Sequence, residues 1–133
     1  MTVTTPTSVK NARLDAISNA WGATPKLRLY SGAAPADCNA ALGANTLLAE
    51  VTPTPAAAVN GAKDMLGGAK PTTGAAGAGT GTAATFYRVY NSAGTTCFEQ
   101  GTVGTAGADL NIDNTSIANG QAVNFNNWTK TEP

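Results

Sequence analysis

Apolar and polar positions alternate in short runs from residue 83 to the C-terminus, each run closed by a turn signal. The run Ala84 to Tyr90 meets Asn91-Ser92-Ala93-Gly94 and resumes as Thr95 to Glu99, which predicts a β-hairpin whose turn closes on glycine. A second pair of runs, Ala108 to Asp113 and Gln121 to Thr129, is joined by a segment ending in Asn119-Gly120, a dipeptide that takes positive φ readily. It predicts a second hairpin, and the two together predict antiparallel β structure.

Upstream the period changes. From Ser8 to Trp21, Val9, Ala12 or Arg13, Ala16, Ile17, Ala20 and Trp21 recur at three- and four-residue spacing, the signature of a helix. Thr7 or Ser8 is placed to cap it and Gly22 to stop it. So short a helix must dock to persist, with Trp21 either its anchor on the end of a sheet or a residue offered to a partner. Lys26 to Tyr30 alternates, Leu27 and Leu29 on one face and Lys26, Arg28 and Tyr30 on the other, as in a half-solvated strand. Residues 31 to 45 read as a loop, and Thr46 to Val51 as a strand stopped by Pro53 and Pro55.

Residues 56 to 82 are nearly low-complexity. A short strand fits within residues 63 to 69, and residues 74 to 81 lack the side chains to pack, which predicts an extended loop. In the last run Val123 and Phe125 share a face and Trp128 falls out of phase. A bulge near Asn126-Asn127 returns Trp128 to the core; without it the ring faces outward as an interaction candidate. Residues 1 to 7 read as an arm and residues 130 to 133 as a polar tail, loose unless a neighbour holds it.

Composition narrows the function classes. The 133 residues fit one domain with one modest core. Eight basic residues balance eight acidic ones and 12% of positions are charged, so the footprint of a nucleic-acid binder is missing. Aromatics make up 6%, and so lean a core points to support from a partner surface. No apolar run is as long as a membrane span. The N-terminus has neither a basic leader nor an apolar region, so synthesis in the cytoplasm is expected, with Cys38 and Cys97 as reduced structural thiols.

Histidine is absent, which removes the commonest general base and metal ligand. No catalytic, cofactor-binding or metal-ligating residue is assigned. Asp109, Asn111 and Asp113 imitate the start of a calcium loop, but Asn114 stands where glycine is needed and Gly120 where the bidentate glutamate is needed. The glycines at 74, 77, 79 and 81 fit no phosphate-binding motif. Glu50 and Glu99 are the only strand-borne glutamates for carboxylate chemistry, with no aromatic platform for a sugar nearby. Arg88, in the middle of an apolar strand, is either an outward residue alternating with Tyr87 and Val89 or the cation of an ion pair with a partner carboxylate.

Several blocks also carry a resemblance. The helix, Lys-Leu-Arg-Leu-Tyr-Ser-Gly at 26 to 32, Leu-Leu-Ala-Glu at 47 to 50, the strand at 81 to 89, Asn-Ser-Ala-Gly at 91 to 94 and Gly-Ala-Asp-Leu-Asn-Ile-Asp-Asn-Thr-Ser-Ile at 107 to 117 follow in order. This series resembles the cement, or head decoration, proteins of tailed bacteriophages with HK97-like capsids, over roughly residues 8 to 129. The resemblance implies an all-β, jelly-roll-like antiparallel sandwich with one N-terminal helix, seated on the outer capsid surface of the virion. It further implies the major capsid protein as partner and self-association, a homodimer ahead of a trimer, with no cofactor, nucleic acid or membrane. The candidate interface residues are Trp21, Lys26, Arg28, Tyr30, Arg88 and Trp128. Exposed edges such as Lys26 to Tyr30 are suited to adding to a neighbour's sheet. A tail or fibre module binding a host surface, and a carbohydrate-binding domain or small enzyme on the same scaffold, are the other classes.

Overall fold

The computed structural model describes residues 3–125 and 127–132. One helix, α1 (Thr7–Trp21), precedes eleven short strands: β1 (Lys26–Tyr30), β2 (Leu47–Val51), β3 (Ala62–Asp64), β4 (Lys70–Thr73), β5 (Thr82–Ala83), β6 (Phe86–Tyr90), β7 (Cys97–Gly104), β8 (Leu110–Asn111), β9 (Ser116–Ile117), β10 (Ala122–Phe125) and β11 (Thr129–Thr131). Five of them form a sheet in the order β2-β1-β6-β7-β8, antiparallel except for the short β7–β8 ladder. The remaining strands pair as two-stranded ribbons, β10 with β4, β11 with β3 and β5 with β9. The chain is mostly β with one short helix, as its alternation predicts.

The β1–β6 register explains the layering. Leu27 lies opposite Val89 and Leu29 opposite Tyr87, so these four share one face and pack into the main core with Trp21, Leu48, Met65, Leu66, Phe125 and Trp128. Period-two alternation sends Arg28, Tyr30, Phe86, Arg88 and Tyr90 to the opposite face. That face is covered as well: Tyr30, Phe86 and Tyr90 form a second apolar cluster with Leu42, Leu47 and Cys97. Both sides of β6 are therefore buried along its whole length. The expected half-solvated edge strand is the second member of the sheet, between β2 and β6. It offers no edge to a neighbour, because both its ladders are filled within the chain.

Helix α1 docks through Leu14, Ile17 and Trp21, at three- and four-residue spacing but on a face rotated from the predicted one; Val9 is 41% exposed. No side chain caps its start, and the amides of Val9 and Lys10 bond to the Pro6 carbonyl instead. Polar contacts fix its position: Asn11 accepts from the Gly61 amide, and Asp15 accepts from the Ala58 amide and from Lys63 Nζ at 2.7 Å. Lys63 is only 3% exposed and also donates to the Ala56 carbonyl.

The first hairpin forms as expected, with Asn91 bonding back to the Gly94, Thr95 and Thr96 amides. The second does not. Residues 118–121 turn, Gly120 having φ 75°, but β9 pairs with β5 and β10 with β4, and the two predicted runs form no ladder among the described residues, touching at an isolated bridge between Asn111 and Asn127 and at the bond from the Asn124 amide to Asp113. An Asn-Gly turn fixes the reversal of the chain and leaves the choice of partner to side-chain burial.

The low-complexity middle is ordered by close approach. Residues 65–69 form a turn between β3 and β4 rather than a strand, with the Asp64 carboxylate accepting from the Leu66, Gly67 and Gly68 amides and Met65 and Leu66 wholly buried. Residues 76–78 make a 3-10 turn whose Ala78 is buried, and Gly74 lies so near the Ala118 carbonyl that a Cβ there would collide. Small size is what lets this segment pack. The polar tail is held as well, since Lys130 and Thr131 belong to β11 and pair with β3. Trp128 is buried against Trp21, with ring centroids 5.7 Å apart, so it occupies the core side. The bulge expected to place it there falls partly on Asn126, outside the described residues.

The cysteines are not free. Cys38 and Cys97 form a disulfide with Cα atoms 5.5 Å apart, because the loop after β1 folds over the start of β7. Closing a chain separation of 59 residues corresponds to about 4 kcal/mol in the chain-entropy model. Reduction is expected to lower stability by that order, read as the urea unfolding free energy with and without reductant; coincident curves would refute the bridge. A second expectation concerns acid. Bonding from Lys63 and the Ala58 amide holds the Asp15 carboxyl below its ordinary pKa. A lowered folded-state pKa adds stability that is complete above the unfolded value, about 4, and is lost as pH falls through the folded one. Urea midpoints should therefore drop below about pH 4 in the native protein and drop less steeply in Asp15→Asn.

Candidate functional site

Two surfaces gather chemistry-bearing side chains. The first is the outer face of the sheet, where the register sets Arg28 directly opposite Arg88. Like charges so placed repel, and the two guanidinium groups take different hydrogen-bond acceptors. Arg28 Nε donates to Glu50 Oε2 at 2.6 Å and its guanidinium lies over the Tyr90 ring at 5.2 Å. Lys26 Nζ reaches the other Glu50 oxygen at 3.9 Å. Glycine at 94 leaves room for Arg28, since a Cβ there would fall 2.9 Å from its Nη2.

Arg88 is 3% exposed. Its Nε donates to Gln100 Oε1 at 2.8 Å, Nη1 to the Tyr90 hydroxyl at 3.2 Å, and Nη2 to the carbonyls of Asp37 and Ala40 at 3.0 and 2.8 Å. Every one of these acceptors is neutral. The planar fork holds down the loop of residues 31–45, which Gln100 Nε2 also grips at the Pro35 carbonyl and the disulfide ties to β7. The Asp37 carboxylate bonds its own turn, at the Asn39 and Ala40 amides. Burial and the neighbouring Tyr90 push the Tyr30 phenol up to about 12. Arg88 is thus not an outward residue: its strand is covered on both faces, and its acceptors lie within the chain.

The second surface is a cleft of about 300 Å³ between β7 and β11, lined by Tyr87, Glu99, Gln100, Asp109, Trp128, Thr129 and Lys130. Tyr87 donates to one Glu99 oxygen at 2.5 Å and Lys130 Nζ binds the other at 3.0 Å while lying 5.6 Å from the Trp128 ring centre. Burial, and then the Glu99 charge, hold the Tyr87 phenol well above its ordinary range. Asp109 accepts from the Thr102 amide and hydroxyl, which hold its carboxyl below the usual range. General acid catalysis needs a carboxyl that keeps its proton near neutrality. Glu99 is engaged at both oxygens and Asp109 is stabilised as the anion, so the cleft works as a latch tying β11 to β7. Glu50 and Glu99 sit on opposite faces of the sheet, Glu50 beside Arg28 and Glu99 beside Tyr87.

Of the six candidate interface residues, the structure brings Lys26, Arg28, Tyr30 and Arg88 to one face and leaves only Lys26 and Arg28 partly open. Trp21 and Trp128 stack together in the core, Trp128 also meeting the Tyr87 ring edge-on at 5.1 Å. The residues missed from sequence are Asp37, Ala40, Tyr90 and Gln100; of these, the hairpin register alone pointed to Gln100, opposite Arg88. The calcium-like run is used locally, Asn111 accepting from the Ala108 amide and Asp113 from the Asn124 amide. Among the described residues no three metal-ligating side chains converge, and no helix is long and apolar enough to cross a membrane.

Arg88→Lys keeps the charge and loses the fork. It should cost about 3 kcal/mol of unfolding free energy and make residues 31–45 the first site of limited proteolysis under reducing conditions; an unchanged urea midpoint would contradict this. Comparisons with protein-family models, with curated proteins and with solved structures find no match to this chain.

Proposed function

We propose that the protein is a structural adhesion module that binds the outer surface of an HK97-like phage capsid and cements neighbouring major capsid protein subunits, most simply as a homodimer. The observation that carries this is the use of its polar groups: both clusters of ionisable side chains serve to lock one segment of the chain onto another. A scaffold so fixed is suited to presenting a rigid surface and unsuited to turnover. The ordered blocks that resemble decoration proteins give the capsid as the surface.

The disulfide supports a place on the virion exterior, since such bonds persist on particles outside the cell and are rare in the cytoplasm where the chain is expected to be made. We read the sheet, with its core face covered by the three ribbons and α1, as a jelly-roll-like sandwich. Attachment proceeds through exposed side chains, because β1 is interior and the free edge of β2 is taken by bonds from the Ala75 amide to Leu48 and from the Thr72 hydroxyl to Glu50. The tail or fibre alternative needs an exposed aromatic stripe, and Tyr30, Tyr87, Tyr90 and Trp128 are all under a tenth exposed.

The test is co-sedimentation of the purified, oxidised protein with expanded heads that lack it, together with its melting temperature free and head-bound. Saturable binding and a higher melting temperature on heads are expected, because lattice contacts favour the folded state. Absence from heads, with the protein found only at the tail, would refute the proposal.

A further inference from the structure

The outer face carries a concavity of about 290 Å³ between the disulfide loop and the first hairpin, with Arg88, Tyr90, Asn39, Gly94 and Thr95 in its lining. Beneath it lies an unusual electrostatic arrangement. A guanidinium 97% removed from solvent ordinarily faces a carboxylate, since burying an unpaired charge is expensive. Here its acceptors are an amide, a phenol and two carbonyls. The carboxylates at hand are already committed: Glu50 to Arg28 and Lys26, and Asp37 to the amides of Asn39 and Ala40. Positive charge is left in excess on this face.

Tyr90 transmits that charge to the surface. Its hydroxyl oxygen accepts from Arg88, a group that can only donate, so its own proton is available to the Tyr30 phenol beside it or to a ligand. The Arg28 guanidinium lies over the same ring and reaches the hairpin turn at Gly94, on the concavity's rim. Asn39 and Thr95, both exposed, add polar contacts at the mouth.

We infer that this concavity is an acceptor site for a carboxylate, supplied by an acidic side chain of the protein to which this chain attaches. Its volume exceeds the roughly 30 Å³ share of one water many times over, enough for a carboxylate with its methylene stem. The Tyr90 hydroxyl donates to one carboxylate oxygen and the Arg28 and Arg88 charges stabilise the anion from below. The identity of the carboxylate's owner rests on the attachment function proposed above; the site itself does not.

Titration of the intact, oxidised protein with sodium acetate and, separately, inorganic phosphate at constant ionic strength tests it, following the arginine Nε–H and backbone amide resonances. Saturable acetate shifts are expected at Arg88, at residues 39–42 and at residues 94–95. Tyr90→Phe, which keeps the ring and removes the donor, should raise the acetate dissociation constant at least fivefold, and Arg28→Gln at least threefold, with the Lys130 region unmoved in both. Shifts that never saturate, that are indifferent to Tyr90→Phe, or that saturate with phosphate but not acetate would overturn the site. If Tyr90→Phe loses acetate binding and still attaches to heads with undiminished affinity, the docking role falls while attachment itself stands.

Discussion

A buried guanidinium governs one whole side of this molecule. Arg88 sits in the middle of a strand that is covered on both faces, where its charge has lost nearly all contact with water. Such a group is tolerated only if its donors are satisfied, and the acceptors lie far away in sequence, on the loop that follows β1 and on β7. Satisfying Arg88 therefore forces the loop of residues 31–45 to lie across the sheet. With the loop in place, Cys38 reaches Cys97, Leu42 covers Tyr30 and Phe86, and Gln100 finds the Pro35 carbonyl.

The other side is organised by shape. Trp21 from the helix, Trp128 next to β11 and Tyr87 from β6 meet in one aromatic cluster, which joins elements from the beginning, middle and end of the chain. Space for it is made by glycine: a Cβ at Gly101 would fall 2.6 Å from the Tyr87 ring, so β7 can lie under that ring only where it carries no side chain. Gly67 and Gly74 permit equally close approach to the Thr54 and Ala118 carbonyls. A chain poor in large side chains thus gains density from proximity, the dispersion contacts of many small atoms replacing those of a few large ones.

These two devices set charged side chains to holding one segment of the chain against another. Lys63 and Asp15 fix the helix, Glu99 with Tyr87 and Lys130 fixes the last strand, and Arg88 fixes the loop. The outer face differs: Lys26, Arg28 and Arg88 lie there with only two carboxylates, Glu50 engaged by Lys26 and Arg28 and Asp37 engaged by its own turn.

Local physics written into the sequence determined the strands at 26 to 30, 47 to 51 and 86 to 90, the helix before them and the first hairpin, because alternation, three-to-four periodicity and an Asn-to-Gly turn act between residues close in the chain. The inward sides of Leu27, Leu29 and Val89 were legible for the same reason. Tertiary structure alone decided what covers the other side. Whether Arg88 faced water, whether β1 was an edge, whether the cysteines met and whether Trp128 was core all depend on contacts between segments separated by dozens of residues. Alternation tells which residues share a face; it is silent on what is laid across that face, and at Arg88 the covering loop converts a surface charge into a buried clamp.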